Sequence, residues 1–134
     1  MVQHARKQAI DTDAARRRIV LVVDDDELVR DALSFALELE GYVTVRAADG
    51  IDALLALRTG ARPDVILLDL EMPLMPGWEF RERQLADPAL ADIPVVVVSS
   101  SLRQVSADRC LRKPFDLDVL LRTVRELGGP PAGV

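Results

Sequence analysis

The sequence predicts an α/β fold: a doubly wound, five-stranded parallel sheet with helices on both faces. Two observations lead to this prediction. Short apolar segments alternate with helical patterns along the chain, as in successive β-α-β units. The strand segments are apolar at nearly every position rather than at every second one, which is typical of strands that helices cover on both faces. With 134 residues, the chain is long enough for one domain with its own core.

Five apolar segments are predicted to be strands. In chain order they are Ile19–Val23, Tyr42–Arg46, Val65–Leu68, Val95–Val98 and, most weakly, Cys110–Arg112. Helical patterns fill the intervals between them, so the strands are expected to run parallel.

The first two helices are predicted from spacing and capping. One follows an acidic cluster at residues 24–27 and ends at Gly41. Its apolar residues recur at helical spacing: Leu28, Ala32, Phe35, Ala36 and Leu39. Asp49 is predicted to cap the second helix, and Gly60 and Pro63 follow its end. The apolar positions of that helix are Ala53, Leu54 and Leu57.

A third helix is expected after Gly77, and the last helix has the clearest pattern. Asp116 is its predicted cap, and Gly128-Gly129 ends it. One apolar stripe runs along it: Leu117, Leu120, Leu121, Val124 and Leu127. We therefore expect one domain over residues 18–128, a flexible tail over 1–17 and a frayed tail over 129–134.

The composition argues against several classes of function. A formal net charge of −5 and a pI of about 4.9 argue against direct nucleic-acid binding through phosphate contacts. The sequence has neither an apolar leader nor an apolar stretch near the ~18 residues that a membrane span needs, so we expect a cytoplasmic protein without membrane insertion. Basic residues gather ahead of the first strand and are expected to be solvated: Arg6, Lys7, Arg16, Arg17 and Arg18.

Four carboxylates follow the first strand without interruption: Asp24, Asp25, Asp26 and Glu27. Unit charges a few ångströms apart repel by roughly 1–4 kcal/mol per pair at effective dielectric constants of 80 to 20. Capping of the following helix explains one or two of them, and Asp26 is assigned to that first turn. The others require either bound protons with raised pKa values or a cation in the site.

Further residues with useful chemistry follow the later strands. Asp69 follows the third strand, Ser99 the fourth and Lys113 the fifth. Ligands of such sheets bind beyond the carboxyl ends of the strands, so these residues are expected to meet the acidic cluster at one edge. Carboxylates suit Mg²⁺ and an Asp can attack a phosphoryl group, while a lysine and a hydroxyl can hold phosphate oxygens. The set predicts phosphoryl transfer.

Four segments carry a resemblance to a known family: VLVVDDDELVR, VILLDLEMPLMPGWEF, VVVVSSS and LRKPF. Together they resemble the receiver domain of two-component response regulators, over about residues 18–128. The resemblance implies a flavodoxin-like sheet with strand order 2-1-3-4-5 and a role in phosphorelay signal transduction.

The resemblance also implies roles for the residues around the phosphoryl group. Asp69 would be the phosphoacceptor, taking its phosphoryl group from the phosphohistidine of a histidine kinase or a phosphotransfer protein. Ser99 would be a switch hydroxyl that moves to a phosphoryl oxygen, and Lys113 would pair with the same group. The Lys113–Pro114 bond is expected to be cis. Gly77 is expected to allow a backbone conformation that other residues resist.

The metal that the resemblance implies is Mg²⁺. Asp25 would touch the ion and Asp24 would act mainly through water. Asp69 and the backbone carbonyl of Glu71 would complete the protein ligands.

Two features depart from the family's pattern. Ser99 and Lys113 are 14 positions apart, about two helical turns less than is usual. The link over residues 100–108 is too short for a full fourth helix, since a parallel crossover normally takes about 10–12 residues. We expect that helix to be shortened or missing. Cys110 stands where receivers often carry a switch Tyr or Phe, and this single cysteine is expected to be a small buried side chain.

The short link leaves open what covers the fourth strand. Val95–Val98 is apolar at every position, yet the link supplies only Leu102 and Val105. Each valine side chain that stays exposed to water would lose on the order of 1.5–3 kcal/mol of stabilisation. The third helix could shift across, the link could lie flat as a lid, or a second protein could cover the strand. The last alternative predicts a homodimer or partner contact at this face.

The sequence therefore predicts a stand-alone receiver domain that accepts a phosphoryl group on Asp69 with Mg²⁺ and signals by docking to a downstream protein. Autodephosphorylation is compatible with this function, but a role as a dedicated enzyme is not expected. Two alternatives stay open: a receiver-like binding module that acts without phosphorylation, and a phosphatase with an Asp nucleophile. Only the DDDEL segment suggests the phosphatase, because it loosely resembles the Asp-x-Asp motif of haloacid-dehalogenase-like phosphatases. The Thr or Val that usually stands two residues after the second Asp of that motif is missing, and the chain has no room for the cap of these phosphatases.

Overall fold

A computed structural model describes residues 16–60, 62–101 and 103–132 of the chain. Five parallel strands form one sheet in the order β2-β1-β3-β4-β5, as expected. The strands are β1 (Ile19–Val23), β2 (Val43–Ala47), β3 (Val65–Leu68), β4 (Val95–Ser99) and β5 (Arg109–Arg112). The helices are α1 (Glu27–Leu39), α2 (Gly50–Thr59), α3 (Gly77–Ala86) and α4 (Leu117–Gly128).

The side chains of each strand point alternately to opposite faces of the sheet. Helices cover both of these faces. On β1, Leu21 and Val23 pack in a cluster with residues of α2 and α3. Val20 and Val22 pack in a second cluster with residues of α1 and α4. The doubly wound α/β prediction is confirmed. Among the described residues, none of the helices combines the length and the apolar composition that a membrane span requires.

Side chains and glycines set the ends of the helices as the sequence predicts. Asp26 accepts hydrogen bonds from backbone N–H groups of the first turn of α1, and Asp49 and Asp116 do the same for α2 and α4. Gly41 and Gly129 have φ angles of +104° and +92° just beyond the ends of α1 and α4. Glycine adopts this left-handed conformation at little cost.

The apolar stripe that predicts α1 is not the face that packs on the sheet. Leu28, Phe35 and Leu39 are 81%, 62% and 69% exposed. The buried face carries Leu33 and Leu37 instead. Two apolar stripes run along this helix, and only one of them can face the strands.

The link between β4 and β5 contains no helix in its described residues. It lies flat along α3, where Arg81 Nε donates a hydrogen bond to Ser106 O at 2.7 Å. Val105 and Ala107 pack against the cluster that contains Val95 and Val97. The predicted loss of the fourth helix is confirmed, and Leu102 lies outside the described residues.

Every residue of β4 is buried. Of the three alternatives for covering this strand, the structure shows the link lying flat as a lid, with Val105 and Ala107 packed against the cluster that contains Val95 and Val97. The homodimer hypothesis, which assumed an uncovered face of this strand, loses its basis.

Cys110 is exposed, so the prediction of a buried cysteine is wrong. It pairs in register with Val97, whose side chain packs on the α2–α3 side of the sheet. Paired residues of neighbouring parallel strands point to the same face. A fourth helix would pack on that side of β5, and without one in the described link Cys110 is in contact with solvent.

Some described residues of the two predicted tails make contacts with the domain. The Tyr42 hydroxyl donates a hydrogen bond to Gly129 O at 2.8 Å, and Pro131 is buried. Gly129 and Pro131 therefore pack on the domain, and residues 133 and 134 lie outside the described residues. Arg16 pairs with Asp64 at 2.6 Å although it stays exposed. The rest of the predicted N-terminal tail, residues 1–15, lies outside the described residues.

Gln84 is a buried polar residue that ties α3 to the loop before β4. Its Nε2 donates hydrogen bonds to Leu90 O and Ile93 O, both at 3.0 Å. Its Oε1 accepts a hydrogen bond from Arg81 Nη1 at 2.8 Å. Arg81 is itself buried, and the loss of solvation lowers the pKa of its guanidinium.

Replacing Gln84 with Leu is expected to lower the free energy of unfolding by about 2 kcal/mol, because Ile93 O and Arg81 Nη1 lose the hydrogen bonds that Gln84 makes and Leu90 O loses one of its two. Urea unfolding followed by circular dichroism measures this change. Glu82→Ala, at an exposed position of the same helix, is the matched control. A loss no larger than that of the control would contradict the assigned role.

Candidate functional site

The residues predicted to meet at one edge of the sheet do so. Asp24 and Asp69 directly follow β1 and β3, Ser99 ends β4, and Lys113 directly follows β5. The backbone pairing of the strands continues into this edge. Asp69 N donates to Val23 O at 3.0 Å, and Lys113 N donates to Ser99 O at 3.1 Å. The site is therefore placed by the register of the sheet.

Asp24 is buried, and each of its polar groups has a partner. Its N–H donates to Ala47 O at 3.1 Å. Its Oδ1 accepts from Asp26 N at 2.9 Å and its Oδ2 from Lys113 Nζ at 2.8 Å. Its backbone carbonyl accepts a hydrogen bond from Arg30 Nη1 at 2.7 Å. With both carboxylate oxygens engaged, Asp24 is a scaffold of the site more than a free ligand.

Lys113 brings one positive charge between two carboxylates. Its Nζ lies 2.8 Å from Asp24 Oδ2 and 3.8 Å from Asp69 Oδ2. The following peptide bond to Pro114 is cis, as predicted.

Asp69 is buried beside Asp24 and Lys113, and the pKa of its carboxyl is raised above the ordinary value for Asp. Burial is the main cause, and the neighbouring charge of Asp24 adds to it. The charge of Lys113 and hydrogen bonds from Glu71 and Ser99 oppose the rise without cancelling it. The Asp69 carboxylate is therefore not fully stabilised by this protein alone, and a further cation would stabilise it.

Carboxylate oxygens of Asp24, Asp25 and Asp69 all lie within 4.8 Å of one another. Asp25 is exposed, and no described residue donates a hydrogen bond to its carboxylate. An all-oxygen set with one free, solvent-facing carboxylate fits a hard divalent cation that keeps several waters. The residues present could hold such an ion through Asp25 and Asp69.

Ser99 is buried, and its hydroxyl has contacts on two sides. Its Oγ accepts a hydrogen bond from Ser101 N at 3.1 Å. The Ser99 hydroxyl also lowers the pKa of the neighbouring Asp69 carboxyl. Glu71 is exposed, and its N–H lies 3.5 Å from Asp69 Oδ1. The assignment of its carbonyl as a metal ligand stays a prediction.

Gly77 is required by a close approach rather than by an unusual conformation. Its φ is not in the left-handed region, so the expected reason is wrong. A Cβ at this position would lie 2.1 Å from Asp69 O and 2.8 Å from Leu70 Cα. The start of α3 thus packs directly on the backbone of the candidate acceptor.

Two outcomes concern residues next to the site. Asp26 caps α1 and is exposed, as its assignment to the first turn predicts. Arg30 was missed by the sequence analysis. The signal that could have found it is a basic residue one helical turn after the acidic cluster, on a helix that begins at the site.

A family model for the response regulator receiver domain matches residues 20–125 of this chain. The chain is 38% identical over 117 residues to the DNA-binding dual master transcriptional regulator RpaA of Synechocystis, covering 81% of this chain and 48% of that protein. It is 39% identical over 116 residues to the response regulator MprA of a Mycobacterium strain, covering 81% and 49%. The chain spans about half the length of these curated relatives.

Solved structures with the same fold include small receivers. The chemotaxis protein CheY4 of Vibrio cholerae is similar with a TM-score of 0.76 and 32% identity, covering 83% of this chain and 98% of that one. A response regulator receiver protein from Pseudomonas putida is similar with a TM-score of 0.78 and 30% identity, covering 84% and 98%.

Replacing Asp69 with Asn is expected to raise the melting temperature of the metal-free protein at neutral pH. The raised pKa means that the folded state binds the Asp69 proton more tightly than the unfolded state. The charged form therefore costs stability above the raised pKa, and this cost disappears as the pH falls below the ordinary Asp value. The difference in melting temperature between Asp69→Asn and the wild type should therefore shrink as the pH is lowered.

Differential scanning calorimetry in the presence of a chelator measures this gap. Asp87→Asn, at a carboxylate beyond the end of α3, is the control. An Asp69→Asn protein that melts below wild type at neutral pH would contradict the account of the site's electrostatics.

Proposed function

The chain belongs to the response regulator receiver domain family, and from this membership we propose that it accepts a phosphoryl group on Asp69 in a Mg²⁺-dependent reaction. The single observation that supports this most is the buried Asp69 carboxylate, which lies 3.8 Å from Lys113 Nζ and clusters with the carboxylates of Asp24 and Asp25 at the carboxyl edge of the sheet. The proposal concerns this domain. The activities of the longer relatives are not transferred to it.

The reaction joins one Asp69 carboxylate oxygen to the phosphorus of a phosphohistidine. The new O–P bond forms as the P–N bond of the donor breaks, and the electron pair of that bond stays on the imidazole. The product is an aspartyl phosphate. The raised pKa of Asp69 reflects an anion that the protein leaves incompletely solvated.

Mg²⁺ would neutralise charge on the phosphoryl oxygens and on the carboxylates that surround them. Asp25 and Asp69 would hold it directly. Asp24 would act mainly through water, because its own oxygens are taken by Lys113 and Asp26 N–H. The backbone carbonyl of Glu71 would be a further ligand.

Lys113 and Ser99 would hold the transferred group. The Lys113 ammonium lies 3.8 Å from Asp69 Oδ2, so a phosphoryl group added to Asp69 comes within reach of this charge. The Ser99 hydroxyl lowers the pKa of the same carboxyl, and it could donate a hydrogen bond to a phosphoryl oxygen. The phosphorylated form would then dock to a downstream protein.

The phosphodonor would dock along the exposed stripe of α1. Leu28, Ala32, Phe35 and Leu39 are all exposed on this helix, and α1 begins two residues after Asp25. A groove of about 390 Å³ lies beside it, between α1 and the segment from Lys113 to Leu117. An apolar stripe that starts at the site fits a helix of the protein that carries the phosphohistidine.

Incubation with Mg²⁺ and a small phosphodonor such as acetyl phosphate is expected to add one phosphoryl group to the wild-type protein. Asp69→Asn should abolish the addition, because the amide is no nucleophile. Intact-protein mass spectrometry measures the product. Phosphorylation of the variant at the wild-type level would move the acceptor elsewhere, and an unmodified wild type would favour a phosphorylation-independent binding module.

Mg²⁺ alone is expected to stabilise the fold, by about 2.7 kcal/mol at 100 times its Kd. Asp25→Asn should remove most of this gain. Asp26→Ser, which keeps an acceptor at the cap of α1, should retain it. Thermal unfolding with and without Mg²⁺ measures the difference, and an equal loss in both variants would contradict the assigned ligands.

Given a histidine kinase that phosphorylates the wild-type chain, Phe35→Ser is expected to slow phosphoryl transfer from that kinase by about tenfold or more. Aromatic side chains that become buried in an interface contribute much of its binding energy. Transfer from acetyl phosphate should not change. Leu85→Ser, at an exposed apolar position of α3, is the matched control. Equal slowing with both donors, or equal slowing by the control, would contradict docking on α1.

A further inference from the structure

Arg30 makes a contact that the fold of α1 does not require. It lies in the first turns of the helix and is half-buried. Its backbone N–H donates to Asp26 O at 2.9 Å, an ordinary helical bond. Its guanidinium turns back toward the site and donates from Nη1 to Asp24 O at 2.7 Å. A hydrogen bond with a charged donor is shorter and stronger than one between two neutral groups.

This bond fixes the peptide group that leads into Asp25. The Asp24 carbonyl and the Asp25 N–H share one rigid plane, so holding the oxygen also orients the start of residue 25. On the other side, Asp26 N donates to Asp24 Oδ1 at 2.9 Å. The backbone is thus held before and after Asp25, whereas the carboxylate of Asp25 has no hydrogen bond from the described residues.

We propose that Arg30 is a positioning residue for Asp25, which it holds with its free carboxylate toward the divalent-cation site. The inference rests on the proposed function, since it concerns the same Mg²⁺ site. Arg30 itself acts through the Asp24 carbonyl and is not a ligand.

The direction in which Mg²⁺ affinity changes when Arg30 is replaced distinguishes a positioning role from a purely electrostatic one. Arg30 adds a positive charge near the carboxylates, and on Coulombic grounds its removal would tighten cation binding. Loss of the anchor would instead let the Asp25 backbone move and weaken binding. Residues that orient metal ligands typically change metal affinity by about 10–100-fold when they are replaced.

Titration calorimetry with Mg²⁺ as the probe tests the proposal on the full chain. Arg30→Met is expected to weaken Mg²⁺ binding by about tenfold. Arg30→Lys, which keeps the charge and one donor, should recover part of the affinity. Arg58→Met, at an exposed position in the last turn of α2, removes the same charge and should bind as wild type does. Circular dichroism verifies that each variant is folded, and Arg30→Gln replaces Arg30→Met if that variant is not.

The pattern of outcomes distinguishes the inference from the function on which it rests. Mg²⁺ affinity that is unchanged or tighter in a folded Arg30→Met protein overturns the positioning role. If the wild type binds Mg²⁺ and Asp25→Asn does not, the metal site stands whatever Arg30 does. A wild type that binds no Mg²⁺ overturns both.

Discussion

The site depends on two buried carboxylates that share one lysine. Asp24 and Asp69 are both buried at the carboxyl edge of the sheet, and Lys113 Nζ lies 2.8 Å from one and 3.8 Å from the other. Even with the guanidinium of Arg30 nearby, the positive charge at this edge does not balance these carboxylates and Asp25 together. The excess negative charge fits a site that takes up a cation, and burial makes the attraction stronger than it would be in water.

The register of the strands places most of the residues of this unbalanced site. Asp69 N bonds to Val23 O and Lys113 N bonds to Ser99 O, so each residue is placed by its strand. Gly77 completes the arrangement, because only a residue without a side chain lets α3 approach the Asp69 backbone. The ends of four of the five strands therefore bring together residues that lie far apart in the sequence.

Local signals predicted the strands, the helix caps and the residues of the site. Asp26, Asp49 and Asp116 cap helices because their side chains bond to nearby backbone groups, which spacing alone reveals. Features that depend on packing were not predictable in this way. The apolar spacing of α1 did not reveal which of its two stripes faces the sheet, and the exposure of Cys110 depends on a helix that is missing elsewhere in the chain. Arg30 was missed because its role lies in a contact with a backbone carbonyl, for which the side-chain pattern gives no clear sign.

The central claim is that the unbalanced site makes Asp69 the acceptor. The most direct measurement is peptide mapping after the protein has been treated with acetyl phosphate and Mg²⁺ and then with borohydride, which reduces an acyl phosphate to an alcohol. The account predicts homoserine at position 69 and unchanged aspartates at 24 and 25. Reduction at Asp24 or Asp25, or a phosphoryl group on a residue outside this site, would contradict it.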